Sequence, residues 1–132
     1  MQKLHSILLF FIVTYLISCT SSPSTYPTNM QKAENYMNTR PDSALILLQG
    51  LADSISIYPE ETQMYWHLLT IQAKDKQYIV HTSDSLINSI VEYYESYGDK
   101  EKLMLAYNYQ GSVYRDMNDA LRALKCFQKA EK

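Results

Sequence analysis

The chain has 132 residues, 46% of them hydrophobic and 20% charged, with only three glycines and four prolines. These values exclude the disordered, collagen-like and other fibrous classes and predict one ordinary globular domain. Twelve basic and fourteen acidic side chains give a net charge of −2, so the sequence lacks the strong basic excess of nucleic-acid-binding domains. We therefore expect no nucleic-acid partner for this segment.

The first residues have the order of a secretory signal. Lys3 supplies a positive charge, and an apolar run follows over residues 7–17, which is the expected sequence of charged and hydrophobic regions. A run of eleven residues is too short for a helix across a hydrocarbon layer, which needs about twenty. The pattern therefore favours a removed signal over a permanent membrane span.

The apolar run ends in Leu16-Ile17-Ser18-Cys19, which resembles the lipobox of bacterial lipoproteins. In that family the cysteine thiol receives a diacylglycerol group, and signal peptidase II then cuts before it. The resemblance implies a signal peptide over residues 1–18, lipidation at Cys19, a palmitate-bearing membrane anchor and no cofactor besides this covalent lipid. The alternative is an ordinary secretory signal with an unmodified cysteine. Because several acyl chains on one terminus anchor a protein stably, we expect attachment without spanning.

Thr20 follows Cys19 where some lipoproteins carry an aspartate that retains them in the inner membrane. By that rule of the family, the expected location is the outer membrane, facing the periplasm. Residues 19–28 are polar, contain Pro23 and Pro27 and have no apolar period, which is typical of a flexible tether.

From residue 29 onward no stretch alternates between apolar and polar residues, so the pattern predicts an all-α domain over 29–132. Pro41 and Pro59 are placed to be first residues of helices. Gly98 and Asp99 have the order of a helix stop followed by the next N-cap. This punctuation predicts six helices in three antiparallel pairs: 30–39, 41–52, 59–76, 83–97, 99–116 and 119–131.

The last pair carries the most specific pattern, with Gly111, Tyr114, Ala123, Phe127 and Ala130 at fixed spacing. This resembles the tetratricopeptide (TPR) repeat, in which small residues let two helices approach closely and large aromatics fill the gaps. The resemblance implies a solenoid of helical hairpins whose last, incomplete repeat covers about residues 104–132. These residues are then packing positions and not a binding site.

In the same register Asn118 takes the turn position that glycine usually holds, because Asn tolerates the left-handed conformation. The middle pair matches less well: Trp66 and Leu69 fit, but Thr70 and Ala73 replace the usual glycine and tyrosine, and its connection is several residues too long. The first pair is weaker again. A generic helical bundle is the alternative.

No catalytic motif is present in the sequence, so we expect no enzymatic activity. His67 and His81 have no His, Cys or Asp at metal-ligand spacing, and we expect no metal site. Cys126 lies beside Phe127 on a packing helix, where a buried structural cysteine is commoner than a nucleophile.

The TPR resemblance implies that the first helix of each pair lines a groove for a protein or peptide. The groove residues that we select as binding candidates are His67, Ile71, Lys74, Asn108, Ser112 and Arg115; Met64, Asp75, Leu105 and Asp116 complete its inward positions. Lys74 and Arg115 are equivalent in this register, and each is followed by an acid. They could hold an acidic peptide end together with Asn108, or they could form ordinary charge contacts on a solvated surface.

Lys132 falls at position 29 of a 34-residue repeat, without the polar capping helix that solenoids need. This predicts either self-association through the last helix or a longer array. Two functions follow as hypotheses. The first is a membrane-anchored, non-enzymatic scaffold that binds a protein or peptide in the cell envelope. The second is the sensory input segment of a larger signalling or transcription-regulatory protein with TPR repeats.

Overall fold

The computed structural model describes residues 26–132, and this part of the chain is helical without a β-strand. The all-α prediction is confirmed there, while the predicted signal peptide and Cys19 lie outside the described residues. A 3-10 turn at Ile55–Ile57 precedes the third of the α-helices. The helices are α1 (Thr28–Tyr36), α2 (Pro41–Gln49), α3 (Glu60–Lys76), α4 (Ser85–Tyr97), α5 (Lys100–Asp116) and α6 (Ala120–Ala130). None of these helices is long and apolar enough to cross a membrane.

Local signals set the helix ends, which lie within three residues of the predicted ones. Gly98 ends α4 in the left-handed conformation with φ +78°, and Asp99 caps α5 by accepting a hydrogen bond from the Lys102 N–H, as predicted. Pro41 is the first residue of α2. The prediction for Pro59 was wrong by one residue: it is the N-cap of α3, which begins at Glu60.

Consecutive helices pack against each other along the chain. In addition, the first helix of each pair contacts the first helix of the next pair, so that α1 meets α3 and α3 meets α5. The last helix, α6, contacts only α5 among the described helices. The first helices therefore form a continuous row; α2 and α4 each pack against the first helices before and after them, and α6 packs against α5.

The main core runs through α1 to α5. Leu48, Leu68, Ile90 and Ala106, from α2, α3, α4 and α5, are each fully buried. Trp66 ties α3 to α2 because its indole N–H donates to the carbonyl oxygen of Leu48 at 2.8 Å. Burial of these side chains holds the pairs together. Each of the larger ones contributes about 1.5–3 kcal/mol to stability.

A smaller cluster joins α5 to α6. Gly111 permits it: a Cβ added there would lie 2.5 Å from a ring carbon of Phe127, so the ring rests directly on the α5 backbone. Tyr114 and Ala123 are buried in the same cluster. Their predicted role as packing positions is confirmed. Asn118, in the turn between these helices, has φ +61° as predicted.

Tyr94 offers a test of the core. Its side chain is 1% exposed, and its hydroxyl has no hydrogen-bond partner within the described part of the chain. A buried unpaired polar group costs about 1–3 kcal/mol. We therefore expect Tyr94→Phe to leave the free energy of unfolding unchanged or raised by up to about 1 kcal/mol, measured by urea unfolding of the full chain in detergent. Tyr94→Leu is the control, because it also removes ring packing and should destabilise. If Tyr94→Phe lowered the free energy of unfolding as much as Tyr94→Leu, the Tyr94 hydroxyl would have to be hydrogen-bonded in the folded protein.

Candidate functional site

The candidate site is the outer surface of α3 and α5, which we call the first-helix face and define by His67, Lys74, Leu105, Asn108 and Arg115. Among the predicted groove residues, Asn108 and Arg115 are exposed, and His67 and Lys74 are partly exposed. These four side chains are available to a partner on α3 and α5. They are separated along each helix by two turns, so they occupy a strip and not a single pocket.

Two other predicted groove residues belong to the interior. Ile71 is 6% exposed and Ser112 is 4% exposed, so both side chains pack between the helices and offer almost no surface to a partner. The reason is that α3 and α5 contact each other directly, and the strip facing the neighbouring helix is covered. Of the six predicted groove residues, four are therefore accessible to a partner, and Ile71 and Ser112 are not.

His67 stands edge-on to Trp66, with ring centroids 4.8 Å apart. Burial lowers the pKa of His67 below its usual 6.5, because the charged form is the one that loses hydration. The unfolded chain then binds a proton more readily than the folded one as the pH falls below about 6.5. The folded protein should accordingly lose stability with acidification in this window.

We expect His67→Gln to flatten the dependence of unfolding free energy on pH between about 7 and 5. The measurement is urea unfolding at several pH values for the wild type and the variant. His81→Gln removes another partly buried histidine whose pKa is also lowered, and the double variant should flatten the curve further. An unchanged slope in His67→Gln would contradict a role for His67 in acid destabilisation.

A second part of the surface lies between the first helices of all three pairs. A pocket there is lined by Tyr26, Glu34, Tyr65, Lys102 and Leu105, together with Glu101. The Lys102 ammonium lies 4.9 Å from the centre of the Tyr65 ring, which is a cation–π distance. Tyr65 in turn donates to a Glu34 carboxylate oxygen at 2.8 Å. The pocket thus combines aromatic surface with both signs of charge.

Tyr26 extends this pocket from a segment that the sequence predicted as tether. Its ring centroid lies 4.9 Å from that of Tyr65, and its hydroxyl donates to Glu61. Burial and the neighbouring Glu61 carboxylate raise the pKa of Tyr26 to about 12, so the phenol stays protonated. Residues 26–28 are therefore attached to the helical domain, and sequence reasoning missed this contact because no periodicity marks a single packed tyrosine.

A charged cluster closes the other end of the first-helix face. The Arg115 guanidinium donates to Asp75 at 2.7 Å and to Asp116 at 2.9 Å. The two acids are equivalent positions in the repeat register, and a single arginine bridges them. Arg115 is thus paired within the chain, which agrees with the alternative that it forms ordinary charge contacts. An acidic peptide end would have to compete with two carboxylates for the guanidinium.

The long connection between α3 and α4 reaches this cluster. Its backbone passes through Tyr78, at φ +59°, and the His81 N–H donates to Asp116 at 3.0 Å. Partial burial opposes ionisation of Asp116, but this hydrogen bond and the Arg115 guanidinium outweigh it and lower its pKa. Burial also lowers the pKa of His81. At neutral pH the cluster therefore contains a charged aspartate and a neutral imidazole.

His81 was missed as part of a cluster by sequence reasoning, because its neighbours lie far away along the chain. Asp116 follows it by 35 residues, and the two meet only when α5 packs beside α3. The unusual length of the connection was the available signal. Ligand-type atoms of Asp75, His81 and Asp116 lie within 4.8 Å of one another.

The surface of α6 is apolar at one side. Leu121 and Leu124 are 65% and 55% exposed, beside a shallow pocket lined in part by Ala123 and Phe127. Self-association through this helix stays a prediction.

Cys126 is 7% exposed, and its thiol contacts Gln110 at 3.2 Å. Burial raises the pKa of the Cys126 thiol, which disfavours the thiolate that a nucleophile requires.

Comparisons with protein-family models, curated proteins and solved structures found no match. The functional assignment therefore depends on the geometry of the chain itself. Two features are available for it: the first-helix face with its aromatic pocket, and the charged cluster at the far end of that face.

Proposed function

We propose that the protein is a membrane-anchored, non-enzymatic scaffold whose TPR-like helical pairs bind a protein or peptide partner in the cell envelope. The observation that carries the proposal is the run of contacts from α1 to α3 to α5. Stacked first helices are the arrangement that repeat proteins use to build an extended binding surface. The close approach of Gly111 and Phe127 supports the TPR-like interpretation of the last pair.

The chemistry of the surface favours a peptide segment over a small molecule. The pocket around Tyr65 and Lys102 is open to solvent and joins both signs of charge to aromatic surface, whereas small-molecule sites are mostly enclosed and apolar. Asn108 and Leu105 lie on the same helix and present an amide and an apolar group. A peptide with mixed polar and apolar side chains fits this surface, and its backbone could pair with the Asn108 amide.

The proposal can be tested with a photo-crosslinking residue placed at Asn108 in the native host. We expect discrete covalent adducts with a protein partner from this position. The matched control is Glu92, an exposed residue of α4 that lies off the first-helix face. Identical adducts from both positions, or none from Asn108, would overturn a binding role for this face.

The anchor is proposed on Cys19 and needs a separate test. Cells fed labelled palmitate should label the wild-type chain and leave Cys19→Ala unlabelled. Membrane fractionation of the same variant should show release from the outer membrane. Label that persists in Cys19→Ala would rule out this attachment site without affecting the case for the first-helix face.

A further inference from the structure

We propose that Asp75, His81 and Asp116 form a binding site for a divalent first-row transition metal ion, with Zn²⁺ as the best-fitting member. The site would tie the end of α3, the α3–α4 connection and the end of α5 to one ion. This inference does not rest on the proposed function. It departs from the expectation, drawn from sequence spacing, that the chain holds no metal.

The donor set fits this class of ion. One imidazole and two carboxylates are ligands that zinc accepts, whereas Mg²⁺ and Ca²⁺ prefer oxygen ligands alone. The ligand atoms of the three residues lie within 4.8 Å of one another. Bonds of about 2.0–2.2 Å in a tetrahedral site would bring them to roughly 3.3–3.6 Å of one another, so the side chains would close around the ion by at most about 1.5 Å.

His81 gives an independent reason to place a ligand here. Its Nε2 atom is buried and has no hydrogen-bond partner within the described residues. Buried polar atoms without a partner are rare in folded proteins and point to a bound water, an ion or a functional role. The imidazole is held beside the acids by its own backbone, since the His81 N–H donates to Asp116.

Arg115 competes for the same carboxylates. Its guanidinium contacts both acids, and its side chain is 55% exposed, whereas those of Asp75 and Asp116 are 18% and 12% exposed. A divalent cation at the same carboxylates carries twice the charge of the guanidinium, which can move out into solvent when it is displaced. With two carboxylates and one neutral imidazole as ligands, a divalent ion is neutralised by the protein.

Three protein ligands leave one or more positions of the ion open. A four-coordinate zinc site would complete its shell with water or with a group from another molecule. The exposed segment Tyr78, Ile79 and Val80 lines the same pocket as Asp75 and Asp116. The ion would therefore stabilise the connection between α3 and α4 against both first helices.

The test is calorimetric titration of Zn²⁺ alone into the metal-stripped full chain in detergent. We expect one ion per chain, with affinity at least about tenfold weaker in His81→Gln and in Asp116→Asn. His67→Gln is the matched control, because it removes a partly buried histidine outside the cluster and should bind Zn²⁺ like the wild type. Co²⁺ in place of Zn²⁺ should give visible absorption bands that disappear in His81→Gln.

Arg115→Gln is a second test, which does not depend on correct folding of the ligand variants. Removing the competing positive charge should strengthen Zn²⁺ binding by roughly tenfold, and this exposed substitution leaves the core untouched. Zn²⁺ binding that is absent in the wild type, unaffected by His81→Gln, or not strengthened by Arg115→Gln would overturn the inference. Equal binding of Ca²⁺ and Zn²⁺ would also overturn it, because an oxygen site without the imidazole would explain that result.

Discussion

Leu68→Ala should cost about 2–5 kcal/mol of unfolding free energy. Leu68 is fully buried at the centre of α3, the helix that contacts α1, α2, α4 and α5. Removal of three carbon atoms there loses their burial and leaves a cavity that four surrounding helices cannot easily fill. The measurement is urea unfolding followed by circular dichroism of the full chain in detergent. Because the free energy of unfolding of such domains is only about 5–15 kcal/mol, this loss should clearly lower the urea concentration at the midpoint of unfolding.

Leu124→Ala is the matched control for this prediction, because the chemical change is the same and the environment differs. Leu124 is 55% exposed on α6, so its truncation should change the unfolding free energy by no more than about 0.5 kcal/mol. Equal losses in the two variants would show that Leu124 is covered in solution. That result would support self-association through α6. Sedimentation analysis of the wild type would then have to show an oligomer.

Gly111→Val should destabilise the α5–α6 pair by about 1–3 kcal/mol, the usual range for overpacking. A Cβ at this position meets three carbons of the Phe127 ring between 2.5 and 2.8 Å, closer than carbon atoms approach. The ring or the whole of α6 must therefore move. Valine has a better helix propensity than glycine, which offsets only a few tenths of a kcal/mol.

The contact itself is isolated by repeating Gly111→Val in a Phe127→Ala background. Without the ring, the added methyl groups find space, and the two substitutions together should cost less than the sum of their separate losses. The readout is again urea unfolding, for all four members of the cycle. Strict additivity would mean that Gly111 and Phe127 do not touch, contrary to the structure.

The helices were predictable because their signals are local. Gly98 and Asp99 mark the end of one helix and the start of the next through their own backbone preferences, and Asn118 takes the left-handed turn for a reason visible in its side chain. The role of Gly111 and Phe127 as packing positions was implied by the tetratricopeptide resemblance, and in the structure the two residues lie against each other.

The sites were much less predictable, because they depend on contacts between helices that are distant in sequence. The register placed Ile71 and Ser112 on an open groove, but the direct packing of α3 on α5 covers both. His81 reaches Asp116 only because the long connection folds back across the ends of two helices. Tyr26 lies in a segment without periodicity and packs on Tyr65 all the same. Local patterns carry no information about such contacts.

Among the described helices, α6 contacts α5 alone, and this has a consequence for how the molecule opens. Every other helix is held by at least two neighbours, so α6 can detach at the free-energy cost of one interface while the rest of the domain stays folded. We expect its amide hydrogens to exchange faster than those of α3, and trypsin to cut first at Lys125 and Lys129, both exposed on α6. Opening would leave the surface of α5 bare, where Gly111 and Tyr114 had been covered, and a helix from another molecule could then take the vacated place.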